Sequence, residues 1–315
     1  MKKVIIIVLV VILVLGVILV GTGLIITKGD FSLIFKSDVR TEANVDETQE
    51  VNAITMDLTS ADNIEFYASE DTNLHINYWD SKKNPITYTY SNGNATLKQA
   101  NNFLSWCNWD LNDNKMIKVY VPASVNNTVS IDLSAGSFTN KDCVLNVNTL
   151  KIDLSSGELD VNDITAKTVN LNASSGKINM DNINTEEFGI DISSGKFTLS
   201  NSIISGTLRL DLSSGNVNLN NVTTNRLQSN LSSGNVIAKG LISKTVHTDT
   251  SSGNVELHII GNPSDYSIKI DVSVGTTVIE GEGVSIKNTS HIEWGTGTNK
   301  IDCESSSGDI KIYFE

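Results

Sequence analysis

A Ser-Ser-Gly tripeptide, or a near relative of it, recurs nine times in this chain. The copies end on Gly136, Gly157, Gly176, Gly195, Gly215, Gly234, Gly253, Gly275 and Gly308, at spacings of 21, 19, 19, 20, 19, 19, 22 and 33 residues. A period near 20 residues sustained over this length means repeats that bury their apolar faces against one another. Counted from each glycine, positions −5 and −3 are apolar, and so are +2 and +4, as in Leu150-Lys-Ile-Asp-Leu-Ser-Ser-Gly-Glu-Leu-Asp-Val161. The apolar parity changes across the glycine. An alternating strand therefore turns a corner at the tripeptide and resumes as a second strand facing the same interior. A third short apolar piece follows, as at Ile164 or Val222. Three faces per repeat predict an all-β chain: a single-stranded parallel β-helix, or solenoid, of about 8–9 coils.

The rest of the chain divides around these repeats. Val4 to Thr27 is apolar almost without interruption and carries no charge, which suffices to cross the ~30 Å hydrocarbon layer. Lys2 and Lys3 precede it. Residues 1–27 thus predict one transmembrane helix acting as a signal-anchor, its N-terminus cytoplasmic and the remainder extracytoplasmic. That places the protein in the cell membrane as a single-pass chain. A cleaved signal peptide competes with this, but no Ala-x-Ala site follows the run. Residues 28–50 are polar and aperiodic and predict a tether. Residues 51–128 alternate like strands without repeating, as in Ile54, Met56 and Leu58, and predict an N-terminal β cap. Within them Asn92-Gly93 marks a two-residue hairpin. Residues 129–315 carry the repeats. Cys107, Cys143 and Cys303 form neither an even disulfide framework nor a metal-ligand cluster.

Charge narrows the partners. The formal net charge of −13 repels nucleic acid and permits a cationic partner, though acidity also serves solubility alone. Position −2 is serine in all nine copies, among them Ser155, Ser193 and Ser232. A nucleophile is needed once, with a base beside it, and the four histidines stand in no repeating relation to these serines. Corner hydroxyls that satisfy backbone groups explain the column, so no catalytic residue is expected. Position −4 forms a ladder of Asp132, Asp153, Asn172, Asp191, Asp211, Asn230, Asp249, Asp271 and Glu304. One carboxylate per coil supplies too few ligands for a divalent ion, so neither metal nor cofactor is expected. Ten of the nineteen aromatic residues lie between Ile64 and Tyr120. Their rings close the first coil in one reading and stack on a ligand in the other. In the second reading Trp106, Trp109 and Trp79 are the candidate ligand-binding residues.

Val119-Tyr-Val-Pro-Ala, Val129-Ser-Ile-Asp-Leu-Ser-Ala-Gly, the tripeptide series and the closing Ser-Ser-Ser-Gly-Asp-Ile-Lys-Ile312 carry a resemblance. Together they resemble the bacterial putative-adhesin family of β-strand-repeat domains, a family of unknown function. The resemblance implies a β-solenoid with an N-terminal β cap in the cell envelope, and carries over no catalytic or binding residue. The expected function is a non-enzymatic, membrane-anchored envelope protein that binds or scaffolds. Its expected partners are the membrane, through the N-terminal helix, and a cell-wall polymer, a peptide or another envelope protein. The alternative is a carbohydrate-active β-helix enzyme, a lyase or glycosidase, which needs carboxylates converging in a groove.

Overall fold

The computed structural model describes residues 40–59, 63–81, 84–100, 116–288 and 290–315. Before the repeats lie β1 (Arg40–Glu47), β2 (Ala53–Leu58), β3 (Asn63–Ala68), β4 (Leu74–Ser81), β5 (Ile86–Ser91), β6 (Asn94–Gln99) and β7 (Met116–Val121). Then come β8 (Thr128–Leu133), β9 (Ser137–Asn140), β10 (Leu145–Leu154) and the long β11 (Glu158–Ser252). The chain closes with β12 (Val255–Ile259), β13 (Tyr266–Val274), β14 (Thr277–Gly281), β15 (Val284–Asn288), β16 (His291–Trp294), β17 (Asn299–Ser307) and β18 (Ile310–Phe314). These eighteen strands join in one sheet that wraps, nearly closed and barrel-like, around a single core.

Pairing is parallel and in register through the middle. Ile152 of β10 lies between Ile131 of β8 and Leu171 of β11, and Leu154 lies between Leu133 and Ala173. All six are buried, so like packs on like along the axis. Each fully buried aliphatic side chain contributes roughly 1.5–3 kcal/mol.

Two corners keep the stack in step. At the tripeptide the glycines approach through their backbones: a Cβ on Gly195 would lie 2.2 Å from the carbonyl oxygen of Gly176, and one on Gly215 2.4 Å from that of Gly195. A second corner holds Asp142, Asp163, Asn182, Asn201 and Asn221, all left-handed with φ of 49° to 55°. Asp and Asn tolerate this conformation better than other side-chain-bearing residues. The Asn182 amide also donates to Asp163 Oδ1 at 2.5 Å.

The ends depart from sequence order. The β6–β7 and β8–β9 segments flank β2–β3, because β2 pairs in parallel with both β6 and β8, and β3 with both β7 and β9. At the other end β17–β18 enters between β11–β12 and β13–β14. Space therefore runs Gly253, Gly308, Gly275: Gly308 packs on the Gly253 carbonyl and Gly275 on the Gly308 carbonyl. Antiparallel partners cover the outermost strands, with β5 on β6, β4 on β7 and β1 on β4 at one end. At the other end β15 lies on β14 and β16 on β13, so among the described residues no long parallel strand is left as a bare edge.

Several expectations are corrected here. The described residues are all-β, but the single-file parallel β-helix of about 8–9 coils on a separate, non-repetitive cap gives way, among them, to one eighteen-stranded, nearly closed sheet. The region before the repeats is woven into that sheet, because strand alternation suits parallel pairing whether or not the tripeptide is present. The transmembrane helix is not supported either: among the described residues no helix is long and apolar enough to cross a membrane, and the run from Val4 to Thr27 lies outside them. The single-pass cell-membrane localisation rested on that helix and falls with it.

Cys143 and Cys303 are free thiols in the core, and burial pushes them up to about 11 and about 12, well away from reactive thiolate. Cys107 lies outside the described residues.

Candidate functional site

The outward faces of β3, β7, β4 and β1 come together where the end strands meet. In β3, Ile64 and Phe66 point inward, Phe66 edge-on to Phe138 with ring centroids 5.0 Å apart, which leaves Glu65 and Tyr67 outward. In β7, Ile117 and Val119 are buried and Lys118 and Tyr120 face out. In β4, Leu74 and Ile76 are buried and His75 and Asn77 face out. Register then aligns one outward row across four strands: Tyr67, Tyr120, His75 and Asp46.

The Tyr67 and Tyr120 rings stack at 5.5 Å between centroids, 25° from parallel. Beside them opens a cleft of about 650 Å³ lined by Asp46, Ser69, Glu70, Asp71, His75 and Asp142, with the two tyrosines. The loop from Ser69 to Asn73 fixes Asp71: its Oδ1 accepts from the Asn73 backbone N–H at 2.7 Å and from Ser69 Oγ at 3.1 Å. The Asn73 N–H, with His75, holds the Asp71 carboxyl below the ordinary carboxylate range. His75 sits between two carboxylates, Nδ1 at 2.7 Å from Asp46 Oδ1 and Nε2 at 3.1 Å from Asp71 Oδ1. The Asp46 hydrogen bond raises His75 above its ordinary value, against an opposing effect of burial and with further help from Asp71. The Tyr67 hydroxyl donates to Glu65 Oε2 at 2.5 Å, and this bond pushes the phenol up to about 12. Burial works to raise Glu65, but hydrogen bonds from Lys141 and Tyr67 outweigh it and leave the carboxyl lowered. Tyr67 thus presents a neutral ring at physiological pH, stacked on Tyr120 and framed by carboxylates. Such a surface accepts a cation by ring-face attraction and by charge.

The expected residues fall unevenly around this cleft. Trp106 and Trp109 lie outside the described residues. Trp79 stands on β4 two positions beyond Asn77, 39% exposed, alongside the cleft and not in it. The pair Tyr67 and Tyr120 was missed, because 53 residues separate them and only the β3–β7 pairing joins them. Among the described residues no group of three His, Cys, Asp or Glu is placed to hold a metal ion.

The acidic ladder is longer than its sequence pattern. Spatial order runs Lys98, Asp57, Asp132, Asp153, Asn172, then the β11 rungs to Asp249, then Glu304, Asp271 and His291. Nitrogen-bearing side chains close both ends: Lys98 Nζ lies 2.6 Å from Asp57, and His291 Nδ1 2.5 Å from Asp271. Burial, with Asp57 and Asp153 on either side, raises Asp132. The two asparagines relieve the column by donation, Asn172 to Asp153 and Asn230 to Asp211, each at 2.6 Å. Asn172→Asp replaces a donor by a like charge between neighbours spaced at ~4.8 Å. It is expected to cost about 1 kcal/mol at low salt and less at high salt, read as a fall in Tm that salt partly restores.

The family model described as Toastrack DUF4097 matches residues 51–313. No curated protein matches the chain. Solved structures similar to it include a putative adhesin from Bacteroides fragilis, 12% identical over 88% of this chain and 99% of that one, with a TM-score of 0.44. A putative lipid binding protein from Parabacteroides distasonis is 14% identical over 88% and 96% of the two chains, with a TM-score of 0.39. A putative adhesin from Parabacteroides merdae is 13% identical over 88% and 96%, with a TM-score of 0.33. None of the three bears on what this chain binds.

Proposed function

The chain belongs to the Toastrack DUF4097 family, of unknown function, and we propose that it is a non-enzymatic binding module for a cationic, amine-bearing polymer or peptide of the cell envelope. The observation that carries this reading is the stacked Tyr67–Tyr120 pair set in a cleft rimmed by Asp46, Glu70, Asp71 and Asp142. The net charge of −13 and the long acidic ladder favour the same class of partner by drawing it to the surface. A non-enzymatic role fits the groups in the cleft, because His75 is engaged at both nitrogens and the Tyr67 hydroxyl is donated to Glu65.

Calorimetric titration of the full-length chain with trilysine tests the reading. Saturable binding is expected, weakened roughly 3- to 30-fold by Tyr67→Ala or Tyr120→Ala, the value of a ring–cation contact of about 0.7–2 kcal/mol. Absence of binding, or equal affinity in both variants, overturns it.

A further inference from the structure

Resting on that reading of the cleft, we propose that His75 makes it a cation–proton exchange site: an organic ammonium group binds beside Asp46 and Asp71 as His75 gives up its proton, so affinity rises with pH.

The geometry of His75 leads there. Each ring nitrogen faces a carboxylate oxygen, Nδ1 on Asp46 from the edge strand β1 and Nε2 on Asp71 from the loop. Only imidazolium, with two N–H donors, satisfies both. Neutral imidazole has one N–H, so its other nitrogen turns a lone pair toward an anionic oxygen. That state withdraws the imidazole donor from Asp46 or from Asp71, which keeps the Asn73 N–H and Ser69 Oγ, and removes a positive charge from an open cleft already rimmed by negative charge; an ammonium ligand supplies both donor and charge. Ligand and proton are thus alternative answers to one electrostatic demand, and the Tyr67–Tyr120 face selects an organic cation over a small ion.

The groups around His75 from each neighbouring element are consistent with exchange at this one residue. β1 contributes Asp46, and the loop contributes Glu70 and Asp71. β7 contributes Tyr120 opposite His75, with Lys118 opposite Asn77. β3 contributes Tyr67, bonded to Glu65, which is ion-paired with Lys141, and Asp142 follows β9. Asp71 is held below the ordinary range and Tyr67 is pushed up to about 12. His75 is raised by the Asp46 hydrogen bond, so it enters the cleft's titration from above its ordinary value. A bound cation lowers it again. Between the raised midpoint of the free protein and the lower one of the complex, binding releases a proton and tightens as pH rises.

The experiment is trilysine titration of the full-length chain at pH 6, 7 and 8, in two buffers of different ionisation enthalpy. About a tenfold gain in affinity from pH 6 to pH 8 is expected, with proton release at pH 7, inside the limit of one decade per pH unit for a single exchanged proton. His75→Gln is expected to flatten the profile and abolish the proton release. His247, His258 and His291, which pair with Asp302, Glu256 and Glu315, and Asp271, are retained in that variant and report any titration unrelated to the cleft. Asp46→Asn is expected to move the midpoint to lower pH. Binding that is independent of pH, tightens toward pH 6, or keeps its pH profile in His75→Gln overturns the exchange and leaves the cleft reading standing. No binding at any pH overturns the cleft reading and the exchange with it.

Discussion

Gly195→Ala is expected to destabilise the fold by about 4 kcal/mol or more, while Ser194→Ala at the exposed neighbouring position stays within about 0.5 kcal/mol. Gly195 has φ of +141°, a conformation that a residue with a Cβ adopts only at a cost of roughly 1–3 kcal/mol. The steric term adds to it. The new Cβ would lie 2.2 Å from the Gly176 carbonyl oxygen and 3.1 Å from the Gly176 nitrogen, both backbone atoms that move only with their own circuit of chain. Gly176 in turn packs on the Gly157 carbonyl, and Gly215 on that of Gly195, so a displacement is passed along the column. Relaxation by fraying is closed to this position, which lies in the middle of the stack. Equilibrium unfolding in denaturant, with the midpoint compared at equal slope, measures the difference. A Gly195→Ala midpoint equal to that of the parent chain would mean that the carbonyl column is not close-packed.

That column explains why so much of the middle of this fold was legible in the sequence. A corner that admits only glycine, flanked by alternating apolar residues, repeats its demand at every circuit, so the same letters recur at the same spacing. The second corner carried an equally regular signal, Asp163, Asn182, Asn201 and Asn221, each followed by a buried residue such as Ile164, Ile183, Ser202 or Val222. It went unread because Asp and Asn are common in this chain, and a polar residue at a surface turn needs no explanation. The order of circuits at the ends was not legible for a different reason. Ile268 and Ile270 of β13 satisfy the same interior columns as Ile301 and Cys303 of β17, so exchanging the two strands leaves every local pattern intact. Only the spacings of 22 and 33 residues hint that the chain leaves the stack and returns. The cleft shares that limit. The aromatic-rich stretch between Ile64 and Tyr120 contains both rings, yet the stacking of Tyr67 on Tyr120 follows from the pairing of strands far apart in the chain.

The returning strands set up the second large effect. Removing residues 299–315 from a single-file stack would shorten it by one circuit and expose one end. Here the same deletion empties a slot. Buried Ile301, Cys303, Ile310 and Ile312 leave the core, at roughly 1.5–3 kcal/mol each. β13 then keeps only its antiparallel partner β16, and β14 only β15. Isolated two-stranded hairpins are marginal in water, so residues 266–294 are expected to lose their structure together with the deleted segment. The packing around the slot does little to resist this. The column that reads Leu210 and Ile190 deeper in the stack becomes Ser229 and Thr248 beside Cys303, all buried but offering less apolar surface. Amide hydrogen exchange distinguishes the two architectures. Protection is expected to vanish across 266–294 in the truncated chain and to persist through the strands around Gly157, Gly176 and Gly195. A synthetic peptide of residues 299–315 is expected to restore it in trans, since the slot offers unpaired strand edges on both sides and a place for Gly308 between Gly253 and Gly275. A truncated chain that keeps full protection across 266–294 would show that β13 re-pairs directly with the end of β11, and that the inserted circuit is not what holds this end of the sheet closed.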